Sequence, residues 1–339
     1  MVITNMKKCL STLVFLIAII FCFYALPQFF AKPQNENYFD ISVVGSYSKK
    51  LEHNGLVSLP PKGELKGYGI RIFGIDGVIL NSIETSNDKL ECYVSVANIN
   101  NYTDESALAI FIDGIIQNFS VDGMKLGNYI YFFDMPEYSI RNIPISIEKA
   151  LIEDKSEHNI TFVYINKCQE TPQSGICDSF FIAPLSIPLK INDGFNYSYE
   201  DKSKTIISDT DKKDVPMFDE EILVSIADID SKIDLTAQNN LNIPFDEYIR
   251  IRVDAHDISE NIYKTYIFAN GNPLILENQK MYLRWASTPD KIMSYELSIN
   301  SLENSIRPGS YSLFTISVPE DINKFKGAFE SRKFLLNVK

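Results

Sequence analysis

The chain has 339 residues, of which 45% are hydrophobic and 12% aromatic, and this composition excludes global disorder. Its length leaves room for two domains, each with a core of its own. The formal net charge of −12 excludes a nucleic-acid-binding protein, because phosphate recognition requires a basic surface.

The first predicted element is an apolar segment near the N-terminus. No charged residue occurs between Lys8 and Lys32, and the intervening residues would span about 34 Å as a helix, enough to cross a hydrocarbon core. We predict a transmembrane anchor at 9–31 and a cytoplasmic tail at 1–8, with the rest of the chain outside the cytoplasm because the positive flank stays inside. The alternative is a cleaved signal peptide with its apolar region at 13–26, which would give a secreted protein.

Short runs rich in Ile, Val, Phe and Tyr fill the remainder of the chain and predict β-strands. Asp-Gly and Asn-Gly dipeptides, which favour the positive φ angles of hairpin turns, separate many of these runs. Long helical periodicity is missing outside the N-terminal segment. The sequence therefore predicts an all-β protein.

The predicted strands occur twice in the same order. The alternating run at 92–96 returns at 249–253, and the Asp-Gly turn at 113–114 returns as Asn-Gly at 270–271, both at an offset of 157 residues. About seven strands per copy predict two tandem immunoglobulin-like or fibronectin-like β-sandwich domains after a single N-terminal transmembrane helix. Two independent domains of the same class are the alternative explanation.

The domain boundaries follow from the polar and turn-rich segments. We predict a juxtamembrane linker at 32–66, a first sandwich at 67–191, a charged linker at 192–217 and a second sandwich at 218–339.

Two of the cysteines, Cys168 and Cys177, enclose a polar loop between the last two predicted strands of the first sandwich. A disulfide persists outside the cytoplasm, and their spacing favours this pair, although Cys92 is an alternative partner for either one. We predict that the loop is a contact tip, since sandwich hairpin ends often carry binding residues. The loop consists of Gln169, Glu170, Thr171, Pro172, Gln173, Ser174 and Gly175. The other hypothesis is that the disulfide only protects an exposed hairpin.

An acidic run in the second linker raises the question of calcium. The candidate ligands are Asp209, Asp211, Asp214 and Glu220, joined by Asp228 and Asp230 in a cadherin-like alternative. Lys213 stands where an oxygen ligand is needed, and Asp214 replaces the glycine of an EF-hand loop. We therefore predict a solvated linker and no metal.

Catalytic motifs are missing from the sequence. It contains no GxSxG, HExxH, CxxC or Walker pattern, and the three histidines, His53, His158 and His256, are far apart. The sequence thus predicts a protein that is not an enzyme and needs no cofactor. A glycan hydrolase, the enzymatic alternative, would require two carboxylates facing each other at about 5–10 Å.

These features together predict a membrane-anchored, extracytoplasmic binding or structural protein of the cell envelope. Its expected partners are the membrane, through the N-terminal helix, and an envelope protein or glycan recognised by the two modules. The alternative function is that of an accessory subunit in an envelope assembly or export complex.

Overall fold

A computed structural model shows the fold of the chain. It describes residues 40–43, 66–86, 88–126, 129–168, 182–200, 209–211, 222–228, 240–243, 248–255, 261–276, 280–287, 291–298, 306–321, 329–330 and 333–339. Asp40–Lys339 form one compact unit, and residues 1–39, with the predicted anchor at 9–31, lie outside the described residues. Within the described ranges, no helix has the length and apolar character needed to span a membrane.

Every regular element in those ranges is a β-strand, so the all-β prediction is confirmed. The N-terminal half, residues 40–200, contains β1 (Asp40–Val43), β2 (Tyr68–Phe73), β3 (Ile83–Glu84), β4 (Leu90–Asn98), β5 (Asp104–Ile112), β6 (Ile115–Ile116), β7 (Ser120–Val121), β8 (Met124–Lys125), β9 (Ile130–Met135), β10 (Ser139–Ile147), β11 (Ala150–Ile152), β12 (His158–Asn166), β13 (Ile182–Lys190) and β14 (Tyr197–Tyr199). The C-terminal half, residues 209–339, contains β15 (Asp209–Asp211), β16 (Ile222–Asp228), β17 (Asn240–Ile243), β18 (Tyr248–Ala255), β19 (Ile262–Ala269), β20 (Asn272–Pro273), β21 (Leu283–Ala286), β22 (Lys291–Ser298), β23 (Gly309–Pro319), β24 (Phe329–Glu330) and β25 (Phe334–Val338).

The strands form four sheets and one small ribbon. In the N-terminal half, sheet I has the order β2-β4-β10-β7-β8 with β1 beside β10, and sheet II has the order β3-β13-β12-β5-β6 with β9 beside β5. Strands β11 and β14 form a parallel two-stranded ribbon. In the C-terminal half, sheet III has the order β17-β25-β23-β19-β20 with β21 and β24 at its sides, and sheet IV has the order β15-β22-β18-β16.

Both halves use one strand order. The series β13-β12-β5 of sheet II corresponds to β25-β23-β19 of sheet III. In each half an earlier strand runs parallel to the outer strand of this series: β3 runs parallel to β13, and β17 runs parallel to β25. The neighbours β4 and β10 of sheet I correspond to β18 and β22 of sheet IV. The runs matched in the sequence, 92–96 and 249–253, lie in the equivalent strands β4 and β18.

The predicted linker at 192–217 contains two strands. Strand β14 pairs with β11 of the N-terminal half, and β15 pairs with β22 of the C-terminal half. Parts of this polar segment therefore belong to the sheets on either side, because backbone pairing along an edge needs no apolar side chains.

Sheets I and II enclose the first core, as expected for a β-sandwich. Sheet I contributes Ile72, Val94, Val96, Ile143 and Ile145, and sheet II contributes Leu108, Ile110, Ile112, Ile160 and Phe162. On each strand these residues alternate, which follows from the two-residue period of side-chain direction.

Sheet II is buried on its second face as well. There Ala107, Ala109, Phe111, Val163 and Ile165 pack against Tyr266, Phe268, Phe314, Ile316 and Val318 of sheet III. Burial on both faces explains why β5 and β12 have nearly continuous apolar sequences, LAIFI and ITFVYI. The two halves thus share a core between sheets II and III.

The two glycine turns that correspond between the halves have the backbone that their sequences favour. Asp113 and Gly114 have φ values of 53° and 74°, and Asn270 and Gly271 have 49° and 76°. Two successive positive φ angles are characteristic of the type I′ hairpin turn, in which Asp-Gly and Asn-Gly are preferred.

Candidate functional site

Cys168, the first residue of the predicted disulfide, lies at the end of β12 and is buried with a free thiol. Burial raises the pKa of this thiol to about 12, although the nearby Lys333 ammonium acts in the opposite direction. Cys92 is also buried and free within sheet I. Cys177 and the whole loop from Gln169 to Gly175 lie outside the described residues, so the disulfide and the contact tip stay predictions.

The calcium candidates are only partly described. Asp209 and Asp211 lie in β15, whereas Asp214 and Glu220 are outside the described residues. No group of three or more potential metal-ligating side chains occurs in the part of the chain that the structure describes.

A buried ionic cluster, which we call the Lys264 cluster, lies between the two halves. It consists of Lys264, Glu153, Glu200, Glu320 and Arg284. The Lys264 side chain is 0% exposed, and its Nζ lies 3.1 Å from Glu320 Oε1 and 3.7 Å from Glu200 Oε2. The same Nζ also forms an ion pair with Glu153. Since Glu153 and Glu200 belong to the N-terminal half, this single cation connects carboxylates from both halves.

The side chains of Arg284 and Tyr282 also donate hydrogen bonds to carboxylates of this cluster. Arg284 donates two hydrogen bonds to the Glu320 carboxylate, from Nε at 2.7 Å and from Nη2 at 3.0 Å. Burial raises the pKa of Glu320, but the hydrogen bond from Arg284 and the charge of Lys264 outweigh it, so the pKa is lowered. The hydroxyl of Tyr282 donates to Glu200. These pairings keep the buried charges compensated.

Asp113, in the first type I′ turn, extends the polar network toward the surface. Its carboxylate lies 2.7 Å from His158 Nδ1 and 3.0 Å from Lys155 Nζ, and it accepts a hydrogen bond from the Asn159 backbone N–H. Burial raises the pKa of Asp113, but the hydrogen bond with His158 and the Lys155 charge lower it by more, so the net direction is downward. The carbonyl oxygen of Asp113 accepts a hydrogen bond of 2.8 Å from Lys264 Nζ.

An open groove of about 720 Å³ lies directly beside this network. One wall is the segment between β11 and β12, with Lys155, Ser156 and His158, and another is the end of β13 with Lys190. The β11–β14 ribbon lines the groove with Tyr197 and Tyr199, and hydrogen bonds between its backbone atoms hold its two strands together. The Asp113 carboxylate lies within hydrogen-bonding distance of His158 Nδ1, which fixes the orientation of the imidazole beside the groove.

The two tyrosines are the most unusual feature of the groove. Tyr197 is 39% exposed and Tyr199 is 54% exposed, and their ring centroids are 5.4 Å apart with an angle of 68° between the planes. Residues two apart on a strand project to the same side, so the sequence Tyr-Ser-Tyr places both rings together.

Sequence reasoning missed this groove for identifiable reasons. Tyr197 and Tyr199 lie in a segment that its charge and polarity predicted to be a linker. The sequence predicts Asp113 only as a turn residue, and it shows His158 only as one of three histidines that are far apart. The alternating Tyr-Ser-Tyr pattern was the local signal for a short strand. The contact between Asp113 and His158 has no local signal, because it joins residues that are 45 positions apart in the sequence.

Comparisons with known proteins give no family. No protein-family model matches the chain, and no curated protein matches it. Solved structures that align with it include a red sea bream transglutaminase (10% identity, 83% of this chain, 34% of that chain, TM-score 0.23). They also include a 1.5-MDa bacterial ice-binding adhesin (9% identity, 81% of this chain, 66% of that chain, TM-score 0.20). A third is the Salmonella enterica SafA pilin in complex with the SafB chaperone (9% identity, 80% of this chain, 98% of that chain, TM-score 0.25). The chain thus spans about a third of the transglutaminase, and TM-scores in this range carry no argument about function.

Proposed function

We propose that the chain is a non-catalytic binding protein of the cell envelope, anchored by its N-terminal segment, in which two immunoglobulin-like sandwiches form one body. The observation that carries this proposal is the open groove with its exposed tyrosine pair. Exposed aromatic rings that line a concave polar surface are typical of ligand-binding sites.

The strand order supports the immunoglobulin-like classification. In the N-terminal half, β2-β4-β10-β7 opposes β13-β12-β5, which corresponds to the arrangement of two facing sheets in immunoglobulin domains. The equivalent order in the C-terminal half supports a duplicated module. The shared core between sheets II and III favours one rigid body over two modules that move independently.

The position of the groove suits an anchored receptor. Strand β1 begins at Asp40, which pairs with Ser139 at one end of sheet I. The groove residues His158 and Lys190 lie at the other end of the sandwich, where β12 begins and β13 ends. The described chain therefore begins at the end of the sandwich opposite the groove.

The environment of the buried carboxylates supports a structural role for them. A glycan hydrolase needs two accessible carboxyl groups on either side of the substrate. Glu153, Glu200 and Glu320 are buried, and each is already held by Lys264, Arg284 or Tyr282. They are better suited to hold the two halves together than to protonate a substrate.

Site-specific photo-cross-linking tests this function in cells that produce the full chain. A photoreactive amino acid would replace Ser156 in the groove, and in a control variant it would replace Glu137, an exposed turn residue before β10 at the opposite end. We expect a discrete adduct only from the Ser156 variant, and we expect it to disappear when Tyr197 and Tyr199 are changed to Ala. No adduct, or equal adducts from both positions, would show that the groove does not bind a ligand.

A further inference from the structure

We infer that the ligand of this groove is an uncharged oligosaccharide, stacked on Tyr197 and Tyr199. This inference rests on the proposed function and specifies the chemistry of the ligand. It follows from the geometry of the aromatic pair, from the charges around it and from the hydrogen-bonding groups that line the groove.

The aromatic pair adds exposed ring surface to a groove that both polar and apolar side chains line. The rings meet nearly edge to face, at 68°, so one ring covers a face of the other, while its partner covers neither of its own two faces. Neither tyrosine belongs to the hydrophobic core clusters of the described chain. A pyranose ring has a face of C–H groups that packs on an aromatic face, while its hydroxyl groups point outward to polar partners.

The charges in the groove argue against an anionic ligand. Lys155 Nζ lies 3.0 Å from the Asp113 carboxylate and donates to the backbone oxygen of Glu320, and Lys190 Nζ lies 2.9 Å from Glu84. Glu157 and Asp193 also line the groove. Because both lysines are already paired and two further carboxylates are present, the groove has no excess positive charge with which to select an anion.

The hydrogen-bonding groups fit a polyhydroxylated ligand. Ser82 and Ser156 are exposed at the groove, and each hydroxyl can both donate and accept. The imidazole of His158, held by Asp113, is a further polar group that lines the groove. A peptide would instead need a strand edge for pairing, and β14 offers only three residues, which favours a sugar over an extended peptide.

The test is binding of the purified full chain, in a zwitterionic detergent that contains no sugar, to an array of neutral, uronic-acid-containing and sulfated oligosaccharides. The strongest array ligand would then be titrated by calorimetry against the wild type and the Tyr197→Ala and Tyr199→Ala variants. We expect a neutral oligosaccharide to bind best and each substitution to raise its Kd about tenfold, the effect of losing one stacking contact. The matched control is Tyr102→Ala, which removes another exposed tyrosine away from the groove and should leave Kd unchanged.

The results separate this inference from the proposed function. An adduct at Ser156 without binding of any neutral oligosaccharide, or with tighter binding of acidic ones, would overturn the inference and leave a binding groove for another ligand class. Equal losses of affinity in the Tyr102 and Tyr199 variants would also overturn it. If neither the adduct nor oligosaccharide binding is found, both the inference and the proposed function are wrong.

Discussion

Lys264 is buried as a cation because carboxylates from both halves of the chain surround its ammonium group. An isolated charge in this position would cost several kcal/mol of desolvation free energy, and the ion pairs with Glu153 and Glu320 offset that cost. The arrangement depends on every partner being present. Residues of this kind are therefore the most sensitive points in the interface between the halves.

Replacing Lys264 with Met should strongly destabilise the protein, because it leaves Glu153 and Glu200 buried without their cation. We expect the free energy of unfolding to fall by about 3–5 kcal/mol. Fluorescence of Trp285, the single Trp of the chain and a buried residue, would follow urea unfolding. The control is Lys125→Met, which breaks an ion pair with Glu148 at a side chain that is 78% exposed, and should change stability by less than about 1 kcal/mol. Similar losses in both variants would contradict the role of the cluster.

The lowered pKa values of Asp113 and Glu320 predict that the free energy of unfolding depends on pH. Each carboxyl has a lower pKa in the folded chain than its ordinary value, 3.8 for Asp113 and 4.5 for Glu320. Their contribution is fully present above those ordinary values and is lost as the pH falls through the lower folded values. Unfolding at a series of pH values should thus show the Asp113→Asn variant much less stable than wild type at pH 7, with a difference in stability that becomes smaller as the pH falls below 3.8. A difference that stays constant with pH would refute this linkage.

Among the structural elements, β5 and β12 show what the sequence could predict and what it could not. Their Ile, Val and Phe content predicts strands, and Asp113-Gly114 predicts the hairpin that follows β5; both are observed. The sequence did not predict that sheet III covers the second face of these strands. Continuous apolar runs indicate burial on both sides, but they do not identify the element that lies there.

The candidate site was less predictable than the strands because it is assembled from distant segments. Asp113, His158 and Tyr199 come from three different elements, and their proximity depends on the register of sheet II and on the β11–β14 ribbon. The charged segment that contains Tyr199 resembles a linker in composition. Composition reports how a segment interacts with solvent on average, whereas the groove depends on two particular rings.

The second type I′ turn offers a test of the contact between the halves. A Cβ atom at Gly271 would lie 2.6 Å from Phe132 Cζ and 3.4 Å from Cys168 Sγ, both in the N-terminal half. We expect Gly271→Ala to lower the free energy of unfolding by about 1–3 kcal/mol more than Gly123→Ala. Gly123 has nearly the same φ, 75°, but a Cβ atom there would meet nothing within 4 Å, so this variant controls for backbone strain. Equal stabilities of the two variants would argue against close packing at this turn.

At the scale of the whole molecule, the shared core and the Lys264 cluster make the two halves a single thermodynamic unit. Tyr266 of sheet III donates a hydrogen bond of 2.9 Å to the carbonyl oxygen of Gly114, next to the bond from Lys264 to Asp113. Loss of either half would expose the apolar face of the other. Independent unfolding of one half would therefore be costly.

We expect one cooperative unfolding transition for residues 40–339. Trp285 fluorescence would report on the C-terminal half, and hydrogen exchange of the β4 and β10 amides, measured at the same urea concentrations, would report on the N-terminal half. The two midpoints should coincide in the wild type and separate in the Lys264→Met variant. Two separate midpoints in the wild type would show that the halves fold independently.

The pairing of β1 has a mechanical consequence. This strand runs parallel to β10, with Asp40 to Val43 opposite Ser139 to Asn142. A pull on the preceding segment, directed along β1, loads the backbone hydrogen bonds of this pairing simultaneously instead of opening them one by one. The β1–β10 pairing is therefore loaded in shear geometry, which resists tension far better than a pairing of the same length whose hydrogen bonds break one after another from one end.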